Sequence, residues 1–267
     1  ATILQDRAEG FEDKSITVEQ ANWETLTSEG VEYWRIRYIG VAAKEMTDNL
    51  TLTISDASGV IVTDTYSVAA YAKERIEKST DENMKSLMNA LLHYGAAAQV
   101  YFDYRTDALA NAGLAAPAAA ALAAAANAST TVKHNLTLES NINFSFFVPK
   151  SAVAAEGLAA TIPHDRLEGS NDKSAVVAQA AWESFTSGGV EYWRIRYTEV
   201  APKEIGDTLT LTITSGADTV VTDSYTVAQY AQERVQNSSN ANMKALMQAL
   251  LTYGAAAQVY FGYTAAN

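Results

Sequence analysis

One amphipathic stretch occurs twice, at Asn83–Tyr104 (NMKSLMNALLHYGAAAQVYFDY) and Asn242–Tyr263 (NMKALMQALLTYGAAAQVYFGY). The stretches close two longer units that align without a gap, Ala1–Tyr104 against Ala160–Tyr263. An internal duplication of this length restricts the chain to architectures that can be written twice, and any proposed site has to be examined in both copies. Within the stretch, Met84, Leu87, Met88, Leu91, Leu92, Gly95, Ala98, Tyr101 and Phe102 recur at steps of three and four, the apolar face of an α-helix. Gly costs about 1 kcal/mol relative to Ala inside a helix. Gly95 and Gly254 therefore mark a close approach, either within each unit or to a helix of another chain.

Upstream, the pattern is that of strands. Lys14–Gln20 and Trp23–Leu26 are short strand-like pieces, while Ala1–Glu12 shows little periodicity. The octapeptide Val31–Tyr38 (VEYWRIRY) recurs letter for letter at Val190–Tyr197. Its alternation sets Trp34, Ile36 and Tyr38 on a core face and Tyr33, Arg35 and Arg37 on the other. Leu50–Ser55 and Val60–Tyr66 follow as a hairpin. Ser67 and Thr226 are placed to cap helices at Ser67–Lys78 and Thr226–Asn237, and Ser79-Thr80-Asp81-Glu82 matches a capping box.

Residues 107–130 are mostly Ala, broken by Gly113 and Pro117, and read as a semi-rigid spacer with a short helix to Leu114 and a second helix of about ten residues. Lys133–Glu139 and Asn141–Val148 then add two strands, with Asn135, Leu138, Ile142, Phe144 and Phe146 as their characteristic residues. Nothing corresponds to them before the first copy. The reading is an α+β chain of two tandem modules, each an antiparallel β-sheet or Ig-like sandwich followed by a two-helix unit. The first module, 1–106, lacks its opening strands; 107–130 links it to a complete module at 131–267. Three explanations of the gap stand open: residues upstream of Ala1, cover by the Ala-rich segment, or strands donated by another chain. The chain opens on Ala rather than Met and reads as a processed chain or a fragment.

Chemistry is sparse in the sequence. It has no Cys and three His; His93 and His164 are matched by Thr252 and Gln5, and His134 lies in the unmatched strands. Neither a zinc site nor a hydrolytic triad is expected from so few ligands. Asp6-Arg7-x-Glu9 with Asp13 reads as a solvated acidic loop in preference to a Ca²⁺ site. The acids kept in both copies, among them Glu24, Glu45 and Asp48, are expected to pair with Arg7, Arg35, Arg37, Lys44 and Arg75. No catalytic residue, cofactor or metal is assigned. A formal net charge of -12 argues against nucleic acid, and no run is long enough to insert in a membrane. Tyr33, Arg35 and Arg37, repeated as Tyr192, Arg194 and Arg196, form the candidate interaction surface; beside Trp23 and Trp182 they are also a candidate glycan-stacking face.

Leu136–Asn143, Val200-Ala201-Pro202-Lys203-Glu204-Ile205 with Asp207, Tyr225–Ala231 and Leu250–Tyr263 together resemble repeat modules of large secreted and cell-surface proteins of anaerobic Gram-positive gut and rumen bacteria. The Tyr-Gly-Ala-Ala-Ala-Gln segment is the most specific part. The resemblance implies an extracellular, non-enzymatic structural or interaction repeat whose partners are other copies or neighbouring domains of a surface protein; strand donation between chains would let such repeats assemble head to tail into a fibre. The alternative is a carbohydrate-binding accessory module of a polysaccharide-degrading protein.

Overall fold

The computed structural model describes residues 1–120, 122, 131–138, 141–153, 156–166 and 171–263. The described residues are mixed α and β, with four antiparallel sheets and four α-helices. In the first half, β1 (Thr2–Asp6), β2 (Lys14–Thr17), β3 (Glu24–Ser28), β4 (Val31–Arg35), β5 (Asn49–Asp56) and β6 (Gly59–Tyr66) precede α1 (Val68–Lys78) and α2 (Glu82–Phe102). After the linker come β7 (Lys133–Thr137) and β8 (Ile142–Pro149). β9 (Ala159–Asp165), β10 (Lys173–Ala178), β11 (Glu183–Ser187), β12 (Val190–Val200), β13 (Thr208–Ser215) and β14 (Asp218–Tyr225) then lead to α3 (Val227–Asn237) and α4 (Ala241–Phe261).

The repeat extends to strand order and register. One sheet runs β2-β1-β5-β6 and its counterpart β10-β9-β13-β14, with Thr2 opposite Thr53 and Thr161 opposite Thr212. Both hairpins carry a bulge at the same place, after Ile54 and after Ile213. The second sheets differ: β11-β12-β8-β7 has four strands, whereas β3-β4 has two. β1 and β9 lie inside their sheets although the sequence around Ala1–Glu12 shows no clear alternation. Their inward positions are Ile3 and Gln5, and Ala160, Ile162 and His164, so small and polar residues interrupt the apolar rhythm on which strand detection rests.

The helices end where the chemistry directs. Ser67 Oγ accepts from the Ala70 N–H at 3.0 Å and Thr226 Oγ1 from the Gln229 N–H at 2.8 Å. For the long helices the cap is the Asx residue: Asp81 accepts from Asn83 and Met84, and Asn240 from Met243. The expected capping box through Glu82 is not the device used; a carboxylate or amide one residue before the helix supplies the acceptor in both copies.

Gly95 and Gly254 are internal packing positions. A Cβ at Gly95 would stand 2.7 Å from Met46 Sδ and 3.1 Å from the Ala43 carbonyl oxygen; at Gly254 it would stand 2.8 Å from Ile205 Cγ1 and 3.0 Å from the Pro202 carbonyl oxygen. Each glycine lets its helix settle on the short 3-10 turn of its own half, Ala43–Glu45 or Pro202–Glu204. On another side the two long helices meet each other, and the equivalent residues Tyr94 and Tyr253 stack with ring centroids 5.6 Å apart. Equivalent positions in mutual contact give this junction a local two-fold character. Leu91, Tyr94 and Ala98 of α2 thereby join the large core built around Phe144, Ile162, Ile195, Leu211 and Leu250. The separate core of the first half is small: Ala69, Ala72, Leu92 and Ala110.

The linker is not the helical spacer that its Ala content suggests, as far as residues 107–120 show. They form turns and irregular chain; residues 121 and 123–130, where most of the ten-residue helix was expected, lie outside the described residues. Side chains of the long helices hold this backbone. Asn89 donates to the Ala115 carbonyl, Gln248 to the Ala120 carbonyl at 2.8 Å, and Gln99 both donates to Ala108 and accepts from Ala110. Backbone groups engaged this way are withdrawn from an i to i−4 ladder, and Pro117 has no N–H to contribute. Residues 107–120 thus lie along α2 and α4, which touch directly.

The two glycine sites should respond differently to a methyl group. Gly95→Ala gains helix propensity of about 1 kcal/mol and meets the movable end of Met46, so it should be near neutral. Both sites face a backbone carbonyl, but Gly254→Ala also meets the branched Ile205, and overpacking of about 1–3 kcal/mol should leave it the less stable variant in urea denaturation.

Candidate interaction surface

Val31–Tyr38 and Val190–Tyr197 are the same eight residues in two surroundings. In the second half, β12 lies between β11 and β8, with Tyr192 opposite Pro149, Ile195 opposite Phe146 and Tyr197 opposite Phe144. It continues to Val200. In the first half, β4 pairs with β3 alone among the described residues and stops at Arg35. Since the peptide is identical, the difference in strand length comes from the neighbour: a second ladder supplies partners for N–H and C=O groups that otherwise face water.

Side-chain exposure follows the backbone. Tyr33 is 51% exposed and Tyr192 4%; Tyr66 is 42% and Tyr225 3%; Tyr71 is 42% and Tyr230 5%. Trp34, Leu26 and Val31 are also exposed in the first half. Fully burying a large apolar side chain stabilises by about 1.5–3 kcal/mol, so this face leaves a sizeable driving force unused. Tyr33 and Leu26, which sit opposite each other, belong to the outer face. Trp34, Tyr66 and Tyr71 belong to the open side that the missing strands would cover.

What covers the second half is β7–β8. Phe144, Phe146 and Val148 are fully buried, with Leu138 and Ile142 beside them. His134 stacks on Tyr225 at 3.7 Å and its Nε2 lies 2.7 Å from an Asp223 carboxylate oxygen. Tyr230 donates its hydroxyl hydrogen to Asn135 Oδ1 at 2.9 Å. The first-half counterparts of Asp223, Tyr225 and Tyr230 are Asp64, Tyr66 and Tyr71, all exposed. Sequence reasoning singled out Asn135, Leu138, Ile142, Phe144 and Phe146 but missed these three receivers. Their signal lies in the repeat itself, since each matches a second-half residue that β7 touches.

The arginines of the candidate surface are engaged within their own sheet. Arg35 Nε donates to Glu24 Oε2 at 2.8 Å and Arg37 reaches the same oxygen at 2.9 Å; Arg194 and Arg196 pair with Glu183. Exposed pairs of this kind contribute about 0–1 kcal/mol and hold the hairpin's outer face. As expected they share that face with Tyr33 or Tyr192, but the two copies are not equivalent: Tyr192 is buried under Lys133, whose Nζ is 5.1 Å from its ring centroid. Trp23 meets Trp34 edge to face at 6.0 Å and 65°, and Trp182 meets Trp193 likewise. Tyr33 and Trp34 project from opposite faces of β4. No coplanar pair of exposed rings arises from these residues.

The remaining polar groups form two closed networks. Glu45 receives Arg7 at 2.6 Å and Lys14 at 3.0 Å, and Gln5 donates to both Glu45 and Asp48. Tyr104 donates to Asp48 at 2.7 Å and Tyr38 to Gln5 Oε1 at 2.8 Å. In the second half, Arg166 and Lys173 reach Glu204, while His164 links Tyr197 to Asp207. Lys44, expected in an ion pair, instead lies over the rings of Phe11, Phe102 and Tyr104, and Arg75 lies over Tyr71. Asp13 accepts from the Arg7 N–H at 2.9 Å, and Asp172 repeats the contact with Arg166. No cluster of three or more His, Cys, Asp or Glu able to hold a metal occurs among the described residues, and no helix there is long and apolar enough to cross a membrane. The chain matches no protein-family model, no curated protein and no solved structure.

Burial pushes the Glu45 carboxyl up, but hydrogen bonds from Gln5, Lys14 and Arg7 outweigh it and hold the group below its ordinary 4.5. Glu204 is lowered in the same way by Ala201, Lys173 and Arg166. A depressed folded-state pKa contributes stability that is present above the ordinary value and lost as pH falls through the folded one. Burial raises Asp48, which works in the opposite sense. Glu45→Gln with Glu204→Gln should lower stability at pH 7 by about 2 kcal/mol or more, because the cations lose a buried partner. Asp48 is common to parent and variant, so the deficit should shrink steadily between pH 6 and pH 3 in guanidinium denaturation. A pH-independent deficit would mean that these carboxylates are not ionised partners.

Proposed function

We propose that the chain is a non-enzymatic structural and interaction repeat of an extracellular cell-surface protein, and that it works by offering an incomplete sheet to another polypeptide. The observation that carries this reading is the octapeptide covered on both edges at Val190–Tyr197 and on one edge at Val31–Tyr38. A free edge beside exposed Tyr33, Trp34, Tyr66 and Tyr71 is the arrangement that strand addition uses: main-chain hydrogen bonds give affinity and side-chain pockets give specificity. In this reading residues 1–106 and 131–267 are tandem modules. The second is an Ig-like sandwich followed by its helix pair, and the first is the same sandwich with one sheet half built. Modules joined through such edges to neighbouring domains, or through other surfaces to further copies, extend into a fibre or hold other domains away from the cell. The resemblance of the Tyr-Gly-Ala-Ala-Ala-Gln segment and its flanks to surface-protein repeats supports the location.

Glycan binding fits the geometry less well, because the exposed rings point to opposite faces and the tryptophans meet edge to face. Tryptophan emission of the full chain should not change saturably on titration with plant-wall or mucin oligosaccharides, and none of them should be cleaved. Turnover, or a saturable quenching that Tyr33→Ala abolishes, would overturn the proposal.

A further inference from the structure

The second half serves as a template for what the first half binds. Its hairpin fixes an antiparallel register against β12, in which Phe144, Phe146 and Val148 face inward and lie opposite Tyr197, Ile195 and Trp193. It also fixes the outer strand, where His134 reaches Asp223 and Asn135 accepts from Tyr230. Shifted to the first copy, every receiving group is present; Tyr33, Trp34, Asp64, Tyr66 and Tyr71 are exposed, and Ile36 and Tyr38 half-buried. Tyr33–Tyr38 supplies the edge, Asp64 the carboxylate, and Tyr66 and Tyr71 the ring and the hydroxyl.

Resting on the interaction reading above, we propose that the first half accepts a β-hairpin of the β7–β8 kind from another polypeptide chain. Its inner strand runs antiparallel to β4 over Tyr33–Tyr38, and its outer strand sets an imidazole or cationic N–H at Asp64 and a hydrogen-bond acceptor at Tyr71. The partner strand has large apolar residues at alternate positions and a small polar residue such as Ser145 between them. The resident hairpin is not the donor, because Lys133–Pro149 is already committed to its own β12. A second copy that lent its hairpin would expose its own β12 by as much as it covered β4.

The test uses the full chain and a synthetic peptide of residues 131–150. Binding is followed by tryptophan emission and located by hydrogen exchange with mass spectrometry. The expected result is saturable one-to-one binding, with amide exchange over residues 33–42 slowed at least tenfold and residues 190–200 unchanged. Asp64→Lys, an exposed substitution that leaves the fold in place, should weaken binding at least tenfold, as should Phe144→Asp with Phe146→Asp in the peptide. Protection at 190–200 instead would show exchange with the resident hairpin and overturn the proposal. So would absence of binding, or a sedimentation result in which β4 is already covered by a second copy of the chain. If the peptide fails while oligosaccharides also fail, the hairpin assignment falls and the interaction reading stands; a saturable oligosaccharide response removes both.

Discussion

A backbone amide in a sheet needs a partner on each side, and the number of partners decides what the same peptide becomes. Val31–Tyr38 and Val190–Tyr197 carry the same propensities, so neither β-branching nor alternation distinguishes them. With β8 in place the strand runs on to Val200 through a bulge at which Glu199 takes a positive φ of 63°, and Gly40 holds the matching position at 91°. The first copy therefore keeps the backbone feature that a paired strand requires, yet forms no ladder there. The geometry for pairing survives where the partner is absent.

The first half tolerates this because its long helix is anchored elsewhere. With only a small core of its own, it contributes Leu91, Tyr94 and Ala98 to the larger core of the second half. The Tyr94–Tyr253 stack and the glycine contacts with the 3-10 turns make α2 and α4 a shared keel. Burial of this kind stabilises α2 and, through Met46 and Ala43, the turn that holds Glu45 and Asp48. The β3–β4 hairpin gains little from it: every residue of both strands is exposed.

Much of this was readable in the residues. The duplication, the helix pairs, the strand hairpins and the unmatched pair of strands at Lys133–Val148 follow from period and spacing, because apolar alternation there is uninterrupted. β1 and β9 escaped because Gln5 and His164 occupy inward positions and spend their polarity on Glu45, Asp48, Tyr197 and Asp207, partners remote in sequence. The linker escaped for a related reason: Ala propensity favours a helix, but tertiary hydrogen bonds from Asn89, Gln99 and Gln248 outweigh a few tenths of a kcal/mol per residue. The surface was half visible. Tyr33, Arg35 and Arg37 stand out in any alternation plot, whereas Asp64, Tyr66 and Tyr71 acquire meaning only when their second-half counterparts are seen under His134 and Asn135.

The first copy does not close the gap by itself among the described residues. An exposed sheet edge is ordinarily blunted by charge, by Pro or by a covering loop; β4 carries Glu32 on the side of Trp34 and Arg35 on the outer side, and Arg35 and the following Arg37 are both held by Glu24. The open side keeps Trp34, Ile36, Tyr38, Tyr66 and Tyr71, the same residues that meet β7–β8 or lie beneath it in the other half. Had the first copy become self-sufficient, polar replacements at the exposed Tyr66 and Tyr71 would have cost it little in packing and removed an aggregation hazard. Retaining the receiving set intact, down to the carboxylate at Asp64, is consistent with a face that spends its working life covered.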